Sequence, residues 1–220
     1  MTPPGAPSAH PPRGAAPSGP AEPDPRRPLV ERPPGRFPPE TLLRAQGAGL
    51  GVRAALFDVD GVLTDGSLYI GEHGEAFKAF HALDGHGLKM LRHGGIEPVV
   101  ITGRDSPAVR RRLADLGVTE ALFGVADKLA AAEALLARRG WAWGELAAIG
   151  DDWPDLPLLE RAAFAAAPPN AHAEVLAVAH HVTAARGGQG AAREFCDLLL
   201  MAAGRYAALL AQDRRTLDSR

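Results

Sequence analysis

Apolar positions fall into short runs that end in acidic or hydroxyl residues. Ala54–Val59 is a run of β-formers closed by Asp60-Gly61. Glu97–Thr102 repeats the design and closes on Thr102-Gly103, and Leu146–Gly150 closes on Asp151-Asp152. Residues 121–124 form a shorter version. Between these runs the apolar spacing becomes helical: Asp84–His93 carries Leu88 and Leu91, and Asp127–Arg139 carries Leu129, Leu135 and Leu136. Ser106-Pro107 opens a third helical pattern to Leu116 with a cap and a first-turn proline. Strands alternating with helices predict a parallel sheet covered on both faces. Ser67–Phe80 interrupts the alternation and reads as a β-hairpin turning through Gly71-Glu72-His73-Gly74. A last helix is predicted over 189–211.

Composition changes this picture mainly at the ends. Fourteen of the 20 prolines lie in the first 40 residues, where large apolar residues are sparse. Residues 1–45 are therefore expected to be a disordered tail, 46–211 the folded domain, and 212–220 a polar C-terminal tail. With 46% hydrophobic residues the chain can bury a core, and its net charge of −2 gives no pull toward nucleic acid or an anionic membrane. No stretch approaches a membrane span and no signal-peptide core opens the chain, so a cytoplasmic protein is expected. The single cysteine, Cys196, sits in an apolar run and reads as core.

The chemistry lies at the strand ends. Asp58 and Asp60, two apart on an extended segment, share a face at a separation of roughly 6.6 Å. Open α/β sheets bind ligands at the carboxyl ends of their strands. Two carboxylates there repel unless a cation or proton intervenes, and Mg²⁺ suits such an oxygen site. Taken alone, Asp-x-Asp-Gly is as readily a capped surface turn. Its place after an apolar strand, and the other strand ends, favour a site. The Thr102-Gly103 turn offers a hydroxyl and backbone N–H groups to a phosphate. Lys128, one of only three lysines, opens a helix where its charge is disfavoured unless it faces an anion. Asp151 and Asp152, with Asp155 close behind, bring further acids to the same edge. His81, His86 and His93 lack a zinc spacing, Trp141, Trp143 and Trp153 read as packing or turn residues, and Asp65 and Asp84 as turn or cap residues.

These four groups, in this order, resemble the motifs of the haloacid dehalogenase superfamily over about residues 53–203. The resemblance implies an α/β fold: a three-layer Rossmann-like sandwich with a mostly parallel sheet, a hairpin inserted after the first strand and no large cap domain. It implies that Asp58 attacks phosphorus and that Asp60 serves as acid and base. Asp58, the Asp60 carbonyl and Asp151 would hold Mg²⁺ with Asp152 in support, while Thr102, Gly103 and Lys128 bind phosphoryl oxygens.

DVDGVLTDG (58–66), KAFHALDGHG (78–87), ITGR (101–104), GDDWPDLP (150–157) and RGGQGAAREFCDLLL (186–200) bring the resemblance closer to the 3-deoxy-D-manno-octulosonate 8-phosphate phosphatases. That implies a phosphorylated sugar-acid substrate in lipopolysaccharide precursor synthesis. It also implies a homotetramer joined by the hairpins, and substrate contacts from Tyr69, Lys78, Arg104 and Arg186. Phosphatase action on a nonulosonate phosphate, or a non-enzymatic oligomeric module, are the competing readings.

Overall fold

The computed structural model describes residues 37–46 and 51–218. Its centre is strand β1 (Ala54–Phe57), every residue of which is buried. β1 lies between β4 (Glu97–Ile101) and β6 (Leu146–Ile149), parallel to both. Outside these lie β5 (Glu120–Leu122) on one side, then β7 (Phe164–Ala167) and β8 (His181–Val182) on the other. The order is β5-β4-β1-β6-β7-β8, and every pairing is parallel.

Side-chain alternation along these strands builds two cores, one on each face. Ala55, Phe57, Val100, Ile149 and Phe164 join the first. It is covered by α1 (Pro39–Ala45), α2 (Ala82–His93), α3 (Pro107–Leu116) and α7 (Ala191–Ala202). Ala54, Leu56, Val99, Ala148 and Ala165 join the second, under α4 (Lys128–Arg139), α5 (Leu156–Leu159) and α6 (Ala173–Val178). The result is the three-layer sandwich that the alternating pattern predicts. After β1 comes only a two-stranded hairpin, β2 (Tyr69–Gly71) and β3 (Gly74–Phe77). Tyr69 and Phe77 stack at 4.3 Å there, and Leu68, Tyr69, Ile70 and Phe77 are exposed.

Local signals set the helix starts. The Ser106 hydroxyl accepts the Val109 N–H ahead of α3, and Asp127 accepts the Ala130 N–H ahead of α4. Asp84 is a cap of another kind: from α2 its carboxylate accepts the Gly190 and Arg193 N–H groups that open α7. Among the described residues, no helix is long and apolar enough to cross a membrane.

The ends depart from expectation. Residues 37–45 are not tail: Phe37 is 5% exposed, meets His181 edge-on at 5.6 Å, and leads into α1 against α7. Pro39 there starts a helix, since at the first turn proline forfeits no hydrogen bond. The remainder of the expected N-terminal tail, residues 1–36, lies outside the described residues. The single terminal helix over 189–211 is two. α7 ends where Gly204 turns at φ +67°, with the Arg205 N–H closing on the Leu200 carbonyl. α8 (Tyr206–Asp218) then runs through most of the expected polar tail. β7 and β8 have no counterpart in the sequence reading. An alanine-rich Phe164–Ala167 carries little β preference of its own.

The Phe37 contact gives a direct check. Phe37→Ala should cost about 3 kcal/mol through lost burial. Urea denaturation of the full chain measures it, and an unchanged midpoint would contradict a packed N-terminal segment.

Candidate active site

The carboxyl ends of β1, β4 and β6 bring the chemistry together. Asp58 continues β1, its N–H donating to the Ile149 carbonyl at 3.2 Å, and its side chain is buried. Lys128, first residue of α4, is also buried. Its Nζ lies 2.6 Å from Asp58 Oδ1 and 2.7 Å from Asp155 Oδ1. Those two carboxylates explain a lysine where the helix dipole disfavours one. Burial pulls the Lys128 pKa down, but the attraction of Asp58 and Asp155 outweighs it and holds the ammonium charged.

Asp155 does two jobs. While Oδ1 binds Lys128, Oδ2 accepts the N–H groups of Asp151 and Asp152 at 3.1 and 3.4 Å. A turn of 3₁₀ helix over Trp153–Asp155 folds the chain back to make this possible. Asp58, Asp151 and Asp155 each offer an oxygen, all within 4.8 Å of one another. Asp152, expected to support the metal set, is instead exposed and starts the 3₁₀ turn. The third acid of the cluster is Asp155, because three residues of tight turn bring it back under Asp151.

The charge balance of this cluster is unfavourable. Burial, then Asp58, Asp155 and Asp152, push the Asp151 carboxyl up to about 8, against the pull of Lys128. Burial and Asp155 raise Asp58 to about 6, again against Lys128. Asp151 Oδ1 is buried without a hydrogen-bond partner. Clustered hard oxygen donors with an excess of negative charge and an orphaned oxygen fit a divalent cation of the Mg²⁺ type.

Glycine makes the crowding possible. Gly61 turns the chain at φ +96°, and a Cβ there would sit 1.9 Å from Asp151 Oδ2. Gly187 and Gly188 press on the same loop: a Cβ on Gly187 would fall 1.8 Å from the Gly61 carbonyl oxygen. The Gly188 N–H donates to the Val62 carbonyl at 2.9 Å. Asn170 ties both sides, donating to the Gly61 carbonyl at 3.0 Å and accepting the Gly187 N–H at 2.8 Å.

The other expected residues are placed as follows. Thr102 is buried at the end of β4, its hydroxyl accepting the Arg104 N–H at 3.3 Å, and Gly103 is exposed beside it. Asp60 is partly exposed. Lys78 lies 2.5 Å from its Oδ1, and Arg104 Nε 3.6 Å from its Oδ2. Arg186 is exposed next to the docked glycines, and Tyr69 is on the hairpin. Trp153, read as a packing or turn residue, is a turn residue: it opens the 3₁₀ turn, is 60% exposed, and places its indole N–H on His172 Nδ1 at 3.0 Å. Asn170 and Glu75, which binds Lys78 at 3.0 Å, were not among the predicted site residues, and Asp155 was noted only as a further acid at the same edge. For Asp155 the nearby acidic run was a signal; a lone Asn or Glu gives none.

The chain is similar to known proteins in both sequence and fold. The haloacid dehalogenase-like hydrolase family profile matches residues 119–195. The 3-deoxy-D-manno-octulosonate 8-phosphate phosphatase KdsC of Escherichia coli (strain K12) is 42% identical over 154 residues, 70% of this chain and 82% of that protein. Two solved structures are also similar. The 3-deoxy-D-manno-octulosonate 8-phosphate phosphatase of Moraxella catarrhalis, in complex with magnesium, phosphate and KDO, is 37% identical with a TM-score of 0.74. The alignment covers 79% of this chain and 97% of that one. The cobalt-bound phosphatase of Haemophilus influenzae is 39% identical with a TM-score of 0.70, over 74% of this chain and 93% of that one.

The raised carboxyls predict how a cation acts on stability. Asp151 binds its proton more tightly folded than unfolded. That stability is fully present below the ordinary carboxylate range and is lost as pH rises through about 8. Mg²⁺ replaces the proton, so its effect should grow from pH 6 to 9. At a hundredfold excess over its Kd near pH 8, the melting temperature should rise by about 5–10 °C. Differential scanning fluorimetry after chelation reads this; a Mg²⁺ shift independent of pH would contradict it.

Proposed function

This chain belongs to the haloacid dehalogenase-like phosphatases that act on 3-deoxy-D-manno-octulosonate 8-phosphate, and on that footing we propose that it hydrolyses this ester to the free sugar acid and phosphate through Asp58. One observation carries the assignment of residues: acids from the adjacent ends of β1 and β6 converge with Lys128 bound to the first of them.

In this reading a carboxylate oxygen of Asp58 attacks phosphorus. The new bond to Asp58 forms as the bond to the sugar oxygen breaks, and Asp60 gives its proton to that departing oxygen. Asp60 then takes a proton from water, which attacks the aspartyl-phosphate, frees phosphate and restores Asp58. Two of the three Lys128 N–H groups are spent on Asp58 and Asp155, which leaves one for a phosphoryl oxygen. Thr102 and the Gly103 N–H serve the other oxygens. Asp58, Asp151 and the Asp60 carbonyl would hold Mg²⁺, with Asp155 rather than Asp152 completing the acidic surround. The ion offsets the repulsion between the anionic nucleophile and the anionic ester. In this reading Arg104 and Arg186, with Tyr69, would contact the sugar acid.

We also infer a cytoplasmic homotetramer assembled through the hairpins. The support is the exposed apolar group of Leu68, Tyr69, Ile70 and Phe77, which water leaves unsatisfied in a single chain.

Two measurements test these readings. Phosphate release from 3-deoxy-D-manno-octulosonate 8-phosphate should require Mg²⁺, and Asp58→Asn should lower it by about 1000-fold or more. Retained turnover in that variant rejects Asp58 as nucleophile. Phe77→Asp should reduce the mass seen by light scattering below that of the wild-type tetramer, whereas an unchanged mass removes the hairpin from the interface.

A further inference from the structure

The Lys78 side chain is 1% exposed, although it lies at the foot of an exposed hairpin. Its ammonium lies 2.5 Å from Asp60 Oδ1 and 3.0 Å from Glu75 Oε2. A buried ammonium needs its charge matched and its N–H groups accepted. Here one carboxylate comes from the loop after β1 and the other from β3. Glu75 is anchored in turn, because the Ser106 hydroxyl donates to its Oε1 and Ser106 caps α3. Burial tends to raise the Glu75 pKa. The bonds from Ser106 and Lys78 outweigh it and leave Glu75 a carboxylate below its usual range.

The group is thus a fixed relay: helix cap, Glu75, Lys78, Asp60. Its outer partner, Arg104, stands farther from Asp60 at 3.6 Å. A carboxylate with one oxygen clamped by an immobile ammonium holds a set rotation and presents its other oxygen in one direction. Glu75 is the second of the two carboxylates that hold the Lys78 ammonium.

We propose that Glu75 is a positioning residue for this reaction: by anchoring Lys78 it sets the orientation in which Asp60 meets the ester oxygen. The proposal rests on Asp60 being the acid and base. It also gives Lys78 a task other than substrate contact, in keeping with its burial between two carboxylates.

The distinguishing readout is the leaving group. A sugar ester departs as an alkoxide and needs a proton from a well-placed acid, whereas p-nitrophenyl phosphate departs as a stable phenolate and does not. Misplacing Asp60 therefore slows the first transfer only for the sugar ester, while hydrolysis of the aspartyl-phosphate is common to both, so the readout is the single-turnover release of the leaving alcohol or phenol. In single-turnover assays Glu75→Gln should slow release of the sugar acid from 3-deoxy-D-manno-octulosonate 8-phosphate by roughly 10- to 100-fold, yet change the p-nitrophenolate burst by no more than about threefold. Glu75→Asp keeps the charge but shortens the reach, and should show the same selectivity to a smaller degree. It carries the test if Glu75→Gln does not fold. Equal losses on both esters, or no loss on either, overturn the proposal. Asp60→Asn, assayed in parallel, separates the two ideas. If it slows the single-turnover release from both esters equally, the reading of Asp60 as the acid itself fails. If it discriminates between them while the Glu75 variants do not, only the positioning role falls.

Discussion

The structure turns on a repulsion held in check. Asp58, Asp151 and Asp155 crowd their oxygens within 4.8 Å of one another, with a single lysine among them. Lys128 neutralises part of that charge, and a proton on Asp151, whose carboxyl is pushed up to about 8, neutralises more when no cation is bound. Such a cluster is unfavourable for folding by itself. It persists because buried strands on either side fix the chain ends that carry it. The same excess of negative charge makes the place selective for a small, hard cation.

The sheet does the fixing through its register. Phe57 pairs with Val100 on one side and Ile149 on the other, so Asp58, one residue on, and Thr102 and Asp151, each two residues on, leave the sheet at the same edge. Alternation commits each strand to both cores at once, which prevents a slip that would turn Asp58 away. Glycines then let three backbones come closer than side chains allow, at Gly61, Gly150 and Gly187. A Cβ on Gly150 would sit 2.4 Å from the Asp155 Cβ.

Much of this is legible in the sequence because apolar strands stop abruptly at polar residues. That boundary fixes Asp58, Thr102 and Asp151 at one edge before any coordinates are known, and Lys128 stands out by its rarity and its place at a helix start. What the sequence does not display is return contacts. Asp155 reaches the cluster only through a 3₁₀ turn, and by spacing alone Asp152 is the nearer choice. Glu75 and Asn170 act across 31 and 109 residues, respectively, and no local pattern marks such pairs. Strand β7 and helix α1 escaped for another reason. Alanine and proline are read by average preference, whereas here burial against α7, and a first-turn position, decide the outcome.

The seam that Asn170 and Gly187 make with the Gly61 loop carries a consequence for biogenesis. The nucleophile is made early in synthesis, but the backbone that braces its loop emerges from the ribosome more than a hundred residues later. Closing so long a loop is entropically costly and waits on the sheet between. An incomplete nascent chain therefore lacks a finished catalytic pocket, and hydrolytic competence arrives only when the distal third of the polypeptide has come home.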